Sequence, residues 1–297
     1  MRRIRSWGPG LLLVAPSLAA LALFVYGFLG WNVRVSLTSW RGLLPKYDNV
    51  GLANYAALLD DQRFMQFDVP HIAVFTLVFV VGALAVGFIM ALLLDRGVRG
   101  ESLFRAVYLF PMAISFIATA IIWRWLLDNG AGESTTGINK LLVESGLGSL
   151  RSDWFRSSSK WAIAAIALPA GWALSGYVMA LFLAGLRGVP DELREAARVD
   201  GASEPKVFWF VVRPMLLPVL MSAVVILAHI SLKTFDLFYA MDQKNLKIDT
   251  PALYMWFTTF DGGFYARGAT IATLLLLGVA VVIVPYVWWS VRAERRR

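Results

Sequence analysis

Six stretches without a charged side chain set the terms for this chain: residues 6–33, 72–94, 106–123, 161–186, 214–232 and 268–291. Each has at least 18 residues. A helix rising about 1.5 Å per residue needs roughly 20 to cross a hydrocarbon core of about 30 Å. Lipid offers no hydrogen bonds, so only helices or closed barrels can span it, and continuous apolar runs lack the alternation of barrel strands. The expectation is an all-α membrane protein with six transmembrane helices near 10–32, 72–94, 104–127, 161–185, 214–232 and 268–290, forming one transmembrane domain over 1–297. At the start, "MRRIR" followed by "LLLVAPSLAALALF" has the basic and apolar regions of a signal peptide. The apolar run continues through "VYGFLGW", beyond the roughly 7–15 residues such a region needs, and reads as a first anchor that tolerates Pro16.

The absence of cysteine excludes disulfides, thiolate metal sites and thiol nucleophiles. A net charge of +8 raises nucleic acid as a partner, but the placement of the charges argues for topology. With the N-terminus in the cytoplasm, 15 of the 28 Lys and Arg residues fall in the short inner segments, against 8 of the 20 acidic ones. That bias is the positive-inside pattern, with both termini cytoplasmic and no nucleic-acid partner. Outer loops then lie near 34–71, 128–160 and 233–267, edged by Trp31, Trp40, Trp125 and Trp154, while Trp288 and Trp289 anchor the inner face. "GLANYAALLDD", 51–61, has helical spacing and reads as an element along the outer surface.

The inner loop 187–213, "RGVPDELREAARVDGASEPKVFWFVVR", is the longest on its side. Pro190 suits a first helical turn, and Asp191 and Glu192 suit the positive end of a helix. Leu193, Ala196 and Ala197 fall at i, i+3 and i+4 as a narrow stripe, and Gly201 stands where a left-handed residue ends a helix. Ser203 can cap a second helix with Pro205 in its first turn, and Pro214 and Pro218 punctuate the start of the fifth span. The result is a helix–turn–helix beneath the bilayer. An alanine stripe buries too little area to anchor in lipid but permits close approach of another protein. A solvated loop and a docking helix both fit these residues.

A resemblance separates the two. "EAARVDGASEPKVFWFVVRP" resembles the EAA signature of permease subunits in binding-protein-dependent ABC importers: Glu-Ala-Ala, three residues, Gly, nine residues, an aliphatic, one residue, Leu-Pro. Glu195, Ala196, Ala197, Gly201, Val211 and Pro214 match it, and Arg213 departs at the Leu position. The "DGAS" that follows, with Asp200, resembles the maltose-type carbohydrate branch. "VGLANYAALLDDQRF", "GESLFRAVYLFPMAISF", "WRWLLD" and "LKTFDLFYAM" extend the likeness over nearly the whole chain, closest in look to glucose/mannose permeases. "MDQKNLKIDTP" departs from the glycine-rich stretch such permeases often carry there.

The resemblance implies a type I ABC importer permease in a bacterial or archaeal plasma membrane. It would pair with a homologous second permease, two ABC ATPase subunits and an extracytoplasmic solute-binding protein that delivers the sugar. The 187–213 loop would carry the coupling helix: Glu195 sets the docking geometry, Ala196 and Ala197 allow close packing, and Gly201 makes the turn. The chain carries no G-x-x-x-x-G-K-[ST] loop, so it is expected to be no enzyme and to need no cofactor of its own, with ATP–Mg bound by the ATPases. Polar groups within spans mark a substrate path: Trp172, Ser175 and Tyr177 in the fourth, His229 and Ser231 in the fifth, then Thr234. In the maltose-type family the sugar contacts come from these two helices, and Tyr177, Ser231 and Thr234 lie at matching distances from Glu195. A lone Ser or Tyr bonding a neighbouring helix is the competing reading. His229, Lys233 and Asp236 share a helical face and could pair, and Arg124 snorkels to the interface.

Other classes fit less well. An ABC permease for a non-sugar solute would share the signature. An ion-coupled secondary transporter calls for acidic residues in the spans, and the six stretches hold none. A membrane-embedded enzyme needs clustered carboxylates or histidines, whereas His71 and His229 are far apart in sequence.

Overall fold

A computed structural model describes residues 8–130, 135–157 and 161–294. Five helices are long and apolar enough to span: α1 (Leu13–Ser36), α3 (Phe64–Asp95), α7 (Ala162–Arg187), α9 (Glu204–Lys233) and α12 (Tyr265–Glu294). Between them lie α2 (Ala53–Leu59), α4 (Glu101–Ala113), α5 (Phe116–Leu126), α6 (Gly137–Glu144), α8 (Asp191–Val199), α10 (Asp236–Asp242) and α11 (Pro251–Trp256). Extended pairing among the described residues is confined to a bridge between Thr38 and Asn49.

The third expected span, 104–127, is not one continuous helix. It is α4 and α5, bent by 98° at Ile114–Ser115. Pro111 has no N–H to donate back along the helix, the chain tightens to a 3-10 turn over Phe110–Ala113, and Ile114 is extended. Ser115, also extended, starts α5 by accepting the Ala118 N–H on its Oγ at 3.2 Å. Apolar content defined the run, but Pro111 and Ser115 carry the break.

The chain divides into two compact units: the described residues up to Met65 with Tyr254–Leu277, and Gln66–Leu253 with the residues from Gly278 on. In the first, Leu58 of α2 is buried with Phe64, Tyr254 and Ile271. Asn32 of α1 reaches α12, its Nδ2 donating to the Ala269 carbonyl at 3.1 Å and to Thr273 Oγ1 at 3.0 Å. Asn54 Nδ2 donates to the carbonyls of Ser36 and Thr38, each at 2.8 Å, closing the turn after α1. Asp61, after α2, accepts from the Phe64 N–H at 3.0 Å, from the Tyr254 hydroxyl at 3.0 Å, and from Arg267. Burial pushes the Asp61 carboxyl up, but these three partners outweigh it and hold the group below the usual carboxylate range. Burial also pushes the Tyr254 hydroxyl up to about 12, which keeps it a donor. A depressed carboxyl stabilises above its unfolded pKa, and that stability is lost as pH falls through the folded value. Amide exchange over 53–65 should therefore rise in acid below the ordinary carboxylate range, and Asp61→Asn should reproduce the rise at pH 7. A flat acid profile contradicts this.

The second unit is built on α3 packed along α7. Phe75 stacks on Phe79 at 5.6 Å and meets Phe238 of α10 edge-on at 4.8 Å, and Phe88 meets Phe182 at 5.0 Å. Midway along α9, Ser222 Oγ and the Tyr286 hydroxyl are 2.7 Å apart. The helix that carries the fifth span does not begin at Pro214. The helix is continuous from Glu204, with a π turn at Phe208–Val212 just ahead of Pro214. The wider turn relieves the missing N–H of that proline, so the second helix of the expected helix–turn–helix is the root of the span itself.

Candidate functional site

Asp191 and Glu192 occupy the first turn of α8, as the positive helix end favours. Pro190 precedes the helix at its N-cap position, one residue short of the first turn, with φ −56° and ψ 132°. Gly201 has φ +82°. The Ala202 N–H donates to the Ala197 carbonyl at 3.0 Å and the Gly201 N–H to the Arg198 carbonyl at 2.9 Å. Those two bonds make a Schellman stop, which needs a left-handed residue where Gly201 stands. Ser203 is extended ahead of α9 but makes no side-chain cap bond, and Pro205 lies in the first turn. Arg198 instead joins the two helices, with Nε 2.7 Å from Glu204 Oε1 and Nη2 3.2 Å from Oε2.

The two faces of α8 differ. Glu192, Leu193, Glu195, Ala196 and Val199 are exposed, Val199 to 86%, and Ala197 is half-buried. The expected stripe thus lies mostly open, and Val199 extends it. Asp200 is exposed at the turn. The other face carries Arg194, four residues from Arg198. Arg194 Nη2 donates to the Leu186 carbonyl at 2.6 Å, and Nη1 lies 3.6 Å from Asp95 Oδ2. A cavity of about 120 Å³ sits there, lined by Asp95, Leu186, Arg194, Arg198, Glu204 and Phe208 among others. Beside it, Glu101 at the start of α4 accepts from Arg187 at 2.7 Å and from Arg105 at 3.2 Å. By sequence, Arg187, Arg194 and Arg198 contribute to the basic bias of the inner segments. The spacing of Arg194 and Arg198, four apart on an amphipathic helix, was the available clue to a second role.

Within the spans, the six path residues sit in different surroundings. Ser175 is buried and accepts the Tyr108 hydroxyl at 3.0 Å. Ser231 is fully buried, donating to the Ala228 carbonyl at 2.8 Å and lying 2.9 Å from Thr76 Oγ1. Thr234, also buried, donates to the Ile230 carbonyl at 2.6 Å. Trp172 is partly exposed and meets Trp123 edge-on at 6.2 Å, and Tyr177 and His229 are half-buried. Lys233 and Asp236 point to the exposed surface, as does Arg124. The Ser175 and Ser231 hydroxyls reach neighbouring helices and the Thr234 hydroxyl bonds within its own, whereas the rings of Trp172, Tyr177 and His229 keep accessible surface. Tyr108 and Thr76, the partners of Ser175 and Ser231, were not singled out by sequence. Among the described residues no group of three His, Asp or Glu side chains could hold a metal ion.

Residues 83–297 match the family described as binding-protein-dependent transport system inner membrane component. The chain is 39% identical to a probable ABC transporter permease protein of Pyrococcus horikoshii, over 96% of this chain and 97% of the relative. It is 36% identical to the xylose/arabinose import permease XacH of Haloferax volcanii, over 91% and 84%. It is 28% identical to the glucose import permease GlcT of Saccharolobus solfataricus, over 97% and 98%. A chain from the crystal structure of a bacterial ABC transporter that imports alginate superposes with a TM-score of 0.77 at 18% identity, covering 98% of this chain and 99% of that one.

Proposed function

Because this chain belongs to the family of binding-protein-dependent transport system inner membrane components, we propose that it serves a glucose- or mannose-type sugar. It is a multi-pass permease subunit of a sugar ABC importer with the type I permease fold. The family works with a binding protein and other ABC subunits. In our reading these are a homologous permease, two ATPases that bind ATP–Mg, and an extracytoplasmic binding protein. The 187–213 loop and both termini face the cytoplasm, in keeping with the basic bias of that side.

The observation that carries the reading is α8. A short helix whose Glu195, Ala196 and Val199 are exposed, held by arginines on its opposite face, is built to be gripped from outside. ATP-driven closure of the ATPases would displace α8, and the continuous helix from Glu204 to Lys233 would carry that displacement into the membrane. Trp172 and Tyr177 suit a sugar, which presents C–H faces to aromatic rings. The test is solute binding by the cognate binding protein against glucose, mannose, xylose, α-glucosides and amino acids. Tight binding of glucose or mannose supports the proposal, and tight binding of an amino acid with none of a sugar overturns it.

A further inference from the structure

We propose that Arg194 is the positioning residue through which α8 moves the spans, an inference that rests on reading α8 as the ATPase-docking helix. Arg194 lies on the side of α8 opposite the exposed Ala196 and Val199, and its guanidinium lies where two spans end. Leu186 is in the last turn of α7, where helix carbonyls lack their usual partners, and its carbonyl otherwise receives the Val189 N–H at 3.3 Å. The Arg194 bond to it is shorter, 2.6 Å. Asp95 is the last residue of α3, an unfavourable place for a carboxylate, and Arg194 lies 3.6 Å from it. One cation thus offsets the negative ends of two packed helices. Lysine could meet one of these acceptors, but the forked guanidinium reaches both.

Burial distinguishes Arg194 from its neighbour. The side chains of Arg194 and Asp95 are 19% and 20% exposed, whereas Arg198 and Glu204 are 48% and 70% exposed. An exposed pair is screened by water and transmits little. The EAA signature does not include this position. The docking face would receive the push, and Arg194 would hand it to α3 and α7.

The experiment uses the full importer in proteoliposomes with its binding protein, reading solute moved per ATP hydrolysed. Arg194→Met should assemble and hydrolyse ATP while the ratio falls at least fivefold. Loss of both activities in proportion, with the ratio within twofold of wild type, would mean a structural role and overturns the inference. If Arg194→Met does not assemble, Arg194→Lys decides, with a ratio below half of wild type expected and an unchanged ratio overturning it. Glu195→Lys in the same assay separates the two layers. If it leaves docking and the ratio intact, the docking reading fails, and this inference with it. If it disrupts them while Arg194→Met keeps a wild-type ratio, this inference alone fails.

Discussion

Glu195→Lys should lower ATP-driven uptake at least tenfold while the chain still inserts and folds. Glu195 lies on the exposed face of α8, beside Glu192 and one turn from Val199. Its charge therefore acts on whatever grips the helix. Truncating one member of a desolvated charge pair at an interface costs about 2–5 kcal/mol, roughly a thirtyfold or greater loss of affinity, and reversal adds repulsion. Glu195→Gln should fall between the two. Uptake at the wild-type rate by a complex carrying Glu195→Lys and shown to be assembled would remove α8 from the coupling step.

Gly176→Val should abolish accumulation of the folded protein. A Cβ at Gly176 would lie 2.3 Å from the Tyr108 carbonyl oxygen and 3.2 Å from Leu109 Cα. These are backbone atoms at the approach to the bend of the third span, so no side chain can turn aside to make room. Overpacking typically costs about 1–3 kcal/mol, and a clash with backbone belongs at or above the top of that range. Gly171, one and a half turns earlier on α7, provides the control, because a Cβ there meets nothing within 4 Å. Gly171→Ala should be neutral or stabilising by up to about 1 kcal/mol. Thermal unfolding in detergent, read by fluorescence size-exclusion, checks both. A folded Gly176→Val protein with unchanged Tm contradicts the packing.

The spans were legible because apolar length is a direct physical requirement of lipid, and α8 because Asp191, Glu192 and Gly201 each mark a helix end in their own way. The 98° break in the third span was not, since a run defined by the absence of charge over residues 106–123 hides a proline and a serine that each act on one hydrogen bond. The continuity of the helix leading into the fifth span was hidden for a related reason. Arg213 and Pro214 read as a boundary, yet a π turn absorbs the proline and the helix runs on from Glu204. Among path residues, sequence could list polar groups but not their partners. Whether Ser231 faces a solute or Thr76 depends on the rotation of α9 against α3, which no local pattern encodes. Arg194 shows the converse, a residue counted for its charge whose geometry gives it a specific place.

The most direct test of the account is uptake by the complete complex in proteoliposomes, with ATP supplied on the side bearing residues 187–213. The expected result is accumulation of labelled sugar that requires both ATP and the binding protein and survives collapse of proton and sodium gradients. Accumulation driven by an ion gradient without ATP would contradict it.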